Sequence, residues 1–226
     1  MRQEGATPVV HTSFAERHRA ARDAVLASQR GRLLEAMVGC VSEKGYAATT
    51  LTDIVGIARV SRSTFYEHFA NKEDCFVAAV RTAVEVMTAR AGEEIAQLPA
   101  DADAVTALET IIVTYCETVA TEPDFARLAL VEAFTVNQAA IEYHDLAADQ
   151  FAALYRYYFE QARAADPTLP SASAELIALI PDALAERTRR VLTSEGAAAV
   201  PALAPVFIQL VTSVLGVRRG ETVPAT

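Results

Sequence analysis

The residue types able to do chemistry concentrate between Thr50 and Lys72: hydroxyls at Thr50, Thr52, Ser63 and Thr64, cations at Arg62 and Lys72, and the rings of Tyr66 and His68. Hydroxyls, a guanidinium, an ammonium and ring N–H or O–H groups are the donors that meet phosphate oxygens and base edges. The elements that must hold them follow from spacing. Leu51, Ile54, Val55 and Ala58 recur at i, i+3, i+4 and i+7, one apolar stripe of a helix. Thr50 with Asp53 makes a capping box that starts it. Arg59-Val60-Ser61 fills a three-residue turn, and Ser61 can cap a second helix. In that second helix only Phe65 and Phe69, four apart, must face a core, so Arg62, Ser63, Thr64, Tyr66 and His68 point elsewhere. A two-turn helix is unstable alone and has to be braced by neighbours. Such a segment, with a polar outer face, fits a DNA major groove.

The charges point the same way. Helix N-termini favour acids in the first turn and disfavour bases. The second helix nevertheless opens Arg62-Ser63-Thr64, and the third opens with Lys72 directly after Asn71, its N-cap. A bound phosphate would turn each unfavourable cation into a favourable one, because backbone N–H groups and the side chain would act together. Ordinary solvated cations, with Glu73 and Asp74 repairing the third helix, are the alternative for either residue taken singly.

Residues from about 30 to 76 resemble the DNA-binding domain of the tetracycline-repressor (TetR) family of bacterial transcription regulators. The matching features are a first helix ending Glu43-Lys44-Gly45-Tyr46, the Thr50-Leu-Thr-Asp-Ile run and the Val60-Ser61 turn. Thr64-Phe65-Tyr66-Glu67-His68-Phe69 and Asn71-Lys72-Glu73 complete them. The family usually has glycine where this chain has Arg59, and often glycine or proline where Ser63 stands. Both positions touch the surface that would meet DNA. The resemblance implies that Arg62, Ser63 and Thr64 approach base edges while Thr50, Thr52, Tyr66, His68 and Lys72 hold phosphates.

Composition bounds the remainder. The chain has 226 residues, is 52% hydrophobic and carries a net charge of −9, which excludes disorder over most of its length. Residues 1–90 hold 12 Lys+Arg against 10 Asp+Glu, and residues 91–226 hold 8 against 19. A mildly basic head thus precedes an acidic body, an arrangement that would orient the protein on DNA or merely keep it soluble. Cys40, Cys75 and Cys116 have no metal-ligand spacing, and an odd number without a leader-like segment points to reduced thiols in the cytoplasm. No apolar stretch reaches the about 20 residues needed to span a bilayer; the longest, Ala202 to Val217, contains Pro205 and Gln209 and reads as a packing helix.

Along the chain, residues 1–27 read as an N-terminal extension in which Ser13-Phe-Ala-Glu16 can open an extra helix carrying Arg17, Arg19 and Arg22. These arginines would either reach DNA as an arm or form a solvated face. Residues 28–75 form the helix-turn-helix domain, with Leu33, Leu34, Met37, Val38 and Val41 as the stripe of its first helix. Residues 76–217 form a helical ligand-binding and dimerisation domain, and 218–226 a tail. From Lys72 one helix continues to about Ile95, followed by runs near 103–120, 124–136, 138–165, 173–194 and 202–217, punctuated by Pro and Gly. Pro181 must kink the fifth run or mark its true start. No alternating pattern competes, and the fold is read as all-α.

Nine of sixteen aromatics fall between Tyr115 and Phe159. Buried tyrosines need hydrogen-bond partners, and a cavity between helices supplies the space for a ligand that provides them. The resembled family forms a pocket in this middle region, implying Met87, Tyr115, Phe125, Phe134, Phe151, Tyr155 and Tyr158 as lining. It also pairs the last two helices of each subunit into a four-helix interface, implying Leu184, Val191, Val206, Phe207, Leu210 and Val214 as contacts. No phosphate loop, His-Glu-x-x-His, nucleophile elbow or Cys-x-x-Cys is present, so the chain is read as a non-enzyme with no cofactor. Glu142, His144, Asp145 and Asp149 could form a cation site but read better as a solvated face, leaving no metal expected. The expectation is a cytoplasmic homodimeric repressor released from a palindromic operator by a small, largely apolar effector. An activator of the same fold, or an all-α small-molecule binding protein with a vestigial head, are the alternatives.

Overall fold

The computed structural model describes residues 28–218, so the arginine-bearing helix expected after Ser13 and the tail beyond Arg218 lie outside the described residues. All described elements are helical. Helix α1 (Gln29–Ala48) starts at Ser28, whose hydroxyl accepts from the Gly31 amide at 2.9 Å. The helix turns away at Gly45, whose φ of 78° suits a residue without a side chain. Leu33, Met37 and Val41 are fully buried along its inner stripe. Helix α2 (Leu51–Ala58) is opened by the Thr50–Asp53 box: Thr50 N donates to Asp53 Oδ2 at 2.8 Å and Asp53 N donates to Thr50 Oγ1 at 3.2 Å. It ends on Arg59 in the left-handed conformation, φ 53°. Helix α3 (Arg62–His68) begins at Ser61, which accepts from Thr64 N at 3.0 Å.

Helix α4 (Lys72–Ile95) is capped by Asn71 and runs from the head into the body. Its Cys75 and Phe76 pack with α1, and farther along Val84 and Met87 reach the body core. Helix α5 (Ala104–Thr121) forms the centre of the body, with Leu108, Ile111, Ile112, Cys116 and Val119 fully buried. Burial pushes the Cys75 and Cys116 thiols up to about 12, which suits core residues and not reactive ones. The run expected at 124–136 is interrupted. Helix α6 (Pro123–Arg127) passes into a π-helical turn (Leu128–Glu132) and then α7 (Ala133–Val136). Such widened turns occur mainly as local bulges, frequently at functional sites.

Helix α8 (Gln138–Ala165) follows on an Asn137 cap. Helix α9 (Ala174–Ser194) continues through Pro181, which is buried inside it, so Pro181 is not the helix start. A 3₁₀ segment (Ala197–Leu203) leads directly into α10 (Ala204–Leu215). Together residues 197–215 make a 19-residue helical run apolar enough, by length and composition, to cross a membrane. The sequence expectation of no such stretch is thereby corrected: the 3₁₀ segment through Pro201 extends α10 toward its N-terminus. In the fold this run packs one face on α5 through Val200, Phe207, Val211 and Leu215.

Candidate DNA interface and ligand cavity

Helix α3 is held at its inner side by Phe65 and Phe69, 0% and 3% exposed, whose ring centroids are 5.6 Å apart. Its remaining surface is open: Arg62, Ser63, Tyr66 and His68 are exposed and Thr64 is half-buried. These side chains are already organised. The Arg62 guanidinium donates to Thr52 Oγ1 at 2.8 Å, joining the two helices of the motif across their outer face. Ser61 Oγ lies 2.7 Å from Ser63 Oγ and 3.0 Å from Thr64 Oγ1, a hydroxyl cluster at the α3 N-terminus. Thr50 donates its hydroxyl to Asp53 at 2.6 Å, and Lys44 pairs with the same carboxylate at 2.8 Å. These contacts hold the Asp53 carboxyl well below the usual carboxylate range.

Lys72 has an additional role that the sequence did not suggest. Its ammonium donates to the carbonyl oxygens of Tyr46 and Thr49 at 3.0 and 2.9 Å, and sits 4.0 Å from the Tyr46 ring centroid. It therefore closes the end of α1 beyond the non-helical Gly45, where the Tyr46 carbonyl also accepts from the Thr49 amide at 3.2 Å. The unfavourable placement of a cation at the start of α4 is offset by these acceptors, without any phosphate. No local spacing announces this contact, because donor and acceptors are 23 and 26 residues apart.

In the body, a cavity of about 40 Å³ lies among α4, the π-helical turn, α5, α8 and α9. The structure brings together Met87, Tyr115, Phe151 and Tyr155 from the expected lining. It adds Val84 from α4, Ala129 and Leu130 from the π turn, His144, Ala147 and Ala148 from α8, and Pro181, Leu184 and Ala185 from α9. Helical spacing contained part of this signal, since His144, Ala147, Ala148, Phe151 and Tyr155 share one face of α8. The Tyr115 and Phe151 rings meet edge-on with centroids 5.8 Å apart.

Three expected lining residues lie elsewhere. Phe125 borders a surface groove with Glu35 and Gly39 of α1, because the π turn rotates the residues that precede it. Phe134 is 47% exposed and stacks edge-on against His144 outside the cavity. Tyr158 is half-buried against Tyr157. His144 Nδ1 lies 3.3 Å from the Ala129 carbonyl oxygen, tying α8 to the π turn. Among the described residues no three His, Cys, Asp or Glu converge on a metal position, so the cluster with Glu142, Asp145 and Asp149 has no such geometry.

Residues 33–79, covering α1 to the first turns of α4, match the family model of bacterial regulatory proteins, tetR family. Over that stretch the head is similar in sequence to the DNA-binding domain of the tetR family. A stretch of 76 residues is 33% identical to the HTH-type transcriptional regulator CymR of Pseudomonas putida, covering 34% of this chain and 37% of that protein. The alignment thus spans little more than a third of the length of that curated relative. The whole fold is similar to that of the transcriptional regulator FadR from Bacillus subtilis, solved in complex with stearoyl-CoA. The TM-score is 0.69 at 18% identity, over 83% of this chain and 98% of that one. The ketosteroid transcriptional regulator KstR2 of Mycobacterium tuberculosis gives a TM-score of 0.60 at 20% identity, over 82% and 94%. At these identities the resemblance is one of fold: a helix-turn-helix head on a larger helical body.

The expected contacts between subunits divide by burial. Leu184, Val191 and Phe207 are each 3% exposed and already packed within the chain. For these three, burial inside one chain already accounts for apolar positions that the resemblance assigned to a second copy. Val206 and Leu210, four apart on α10, are 52% and 39% exposed, and Val214 is half-buried on the same face. Leu176 and Leu179 of α9, which sequence reasoning passed over, are 40% and 60% exposed.

Proposed function

We propose that the protein is a cytoplasmic homodimer that represses transcription from a palindromic operator and is released by a small, largely apolar molecule. The observation that carries this reading is the polar outer face of α3, displayed by two buried phenylalanines. In it Arg62, Ser63 and Thr64 read base edges, while Thr50, Thr52, Tyr66 and His68 hold phosphates. Lys72, with two of its three N–H donors on carbonyls, retains one for a phosphate. The exposed Val206–Leu210 face of α10 joins a second copy, because two recognition helices on a two-fold axis match a palindrome. The ketosteroid in the name of KstR2 supports a largely apolar effector.

Release follows from the size of the cavity. A space of about 40 Å³ is far below the about 300–1,000 Å³ of sites for drug-sized ligands, so an occupant must displace the wall. The wall segment 123–137 is fastened to the head at both ends. Ser42 of α1 donates to Asp124 at 2.6 Å, and Asn137 bonds Glu73 at the start of α4. Displacing the π turn thus pulls on both head helices, and by linkage DNA and ligand weaken each other equally. The test is a mobility shift on the DNA upstream of the chain's own coding sequence. Retardation by the wild-type chain supports the reading, whereas no shift favours a vestigial head. Promoter fusions separate repression from activation.

A further inference from the structure

The chemistry of the cavity wall restricts what can fill it, an inference that rests on the ligand-responsive reading above. Among the lining residues only Tyr115, His144 and Tyr155 carry a side-chain nitrogen or oxygen, and none is Lys, Arg, Asp or Glu. Two hydroxyls are buried here without a hydrogen-bond partner: Tyr115 Oη in the wall itself, on a residue 8% exposed, and Thr188 Oγ1 behind the wall, on a residue with 0% exposure. Thr188 stands one turn beyond Leu184 and Ala185 on α9, close enough to moderate the raised pKa of the Tyr115 phenol. Buried hydroxyls in an apolar wall are strongly favoured to gain a partner.

The approach to the cavity has its own sign. An outer groove shares Leu130, His144 and Ala185 with the cavity and adds Asp145, Asp182, Glu186 and Arg189. Arg189 is occupied by Glu186, to which its Nε and Nη2 donate at 2.7 and 2.9 Å. An anion would meet net negative charge on the way in and, once inside, would be desolvated with no Lys or Arg among the lining residues to pair it.

We propose that the cavity takes a compact, uncharged, mostly apolar molecule whose one hydroxyl or carbonyl oxygen hydrogen-bonds to Tyr115 and Thr188. The buried Tyr115 and Tyr155 phenols are pushed up in pKa by burial and stay neutral donors through the physiological range. The proposal separates this chain from its FadR relative, whose complex holds stearoyl-CoA, a polyanion.

The test is calorimetric titration of the full chain with three molecules sharing one ring system: naphthalene, naphthol and naphthoate. Naphthol is expected to bind about tenfold tighter than either of the others. Tyr115→Phe and, independently, Thr188→Val should remove most of the advantage of naphthol over naphthalene while leaving naphthalene affinity within about twofold. Naphthoate binding as tightly as naphthol, a naphthol advantage that survives both substitutions, or no binding by any of the three would overturn the proposal. DNA retardation, measured separately, decides the regulator reading. Naphthol selectivity without DNA binding sinks that reading and leaves the ligand class standing, and the converse result does the opposite.

Discussion

Arg59 and Lys72 show how single residues of the head serve both fold and function. Arg59 holds a left-handed conformation, φ 53°, where α2 must end, a backbone state that disfavours side-chain-bearing residues. Its strain was legible in the sequence, because the turn between α2 and α3 is a place where glycine is expected. Arg59→Gly is expected to raise stability to chemical unfolding by about 1 kcal/mol, while removing an exposed cation beside the recognition helix lowers DNA affinity. A loss of stability would contradict the strain. Lys72 was readable only as a cation in an unfavourable place; its partners, the Tyr46 and Thr49 carbonyls, come together through the tertiary fold. Lys72→Ala should therefore cost about 1–2 kcal/mol of stability. It should also weaken all DNA sequences alike, lowering the salt slope by about one unit. A changed salt slope at unchanged stability would mean that the carbonyl contacts contribute nothing.

At the level of elements, helices with strong periodicity were legible nearly to their ends. The Thr50–Asp53 box, the Ser61 cap and the long α4 follow from local capping and apolar spacing, which need no knowledge of the fold. The π turn at Leu128–Glu132 was not legible, since its sequence Leu-Ala-Leu-Val-Glu suits an ordinary helix. Its register shift is what carries Ala129 and Leu130 into the cavity wall and leaves Phe125 and Phe134 outside. The same segment carries the coupling. Replacing Asp124 by Ala together with Asn137 by Ala removes the Ser42 and Glu73 attachments. Such a variant should keep its affinity for an effector and for DNA taken separately, yet show a coupling factor between them reduced several-fold, by about 1 kcal/mol. Anisotropy titrations of operator with and without effector measure it, and an unchanged coupling factor would place the route elsewhere.

For the whole molecule, the division into a mildly basic head and an acidic body was visible in charge alone. How the last helices use their apolar residues was not, because burial inside one chain and burial between two leave the same composition. The described residues separate them: Leu184, Val191 and Phe207 face inward, whereas Val206, Leu210, Leu176 and Leu179 remain outside. Val206→Glu with Leu210→Glu should shift the protein toward monomer in sedimentation while keeping its helical signal, and reduce binding to a palindromic duplex far more than binding to a half-site. A dimer unaffected by both substitutions would move the interface away from α10.

The most direct measurement is selection from a randomised double-stranded oligonucleotide pool at low ionic strength, comparing the wild-type chain with Arg62→Ala. The account predicts enrichment of a palindrome by the wild type and relaxed discrimination at one or two base pairs of each half-site in the variant. Failure of the wild-type chain to retain any duplex would contradict it.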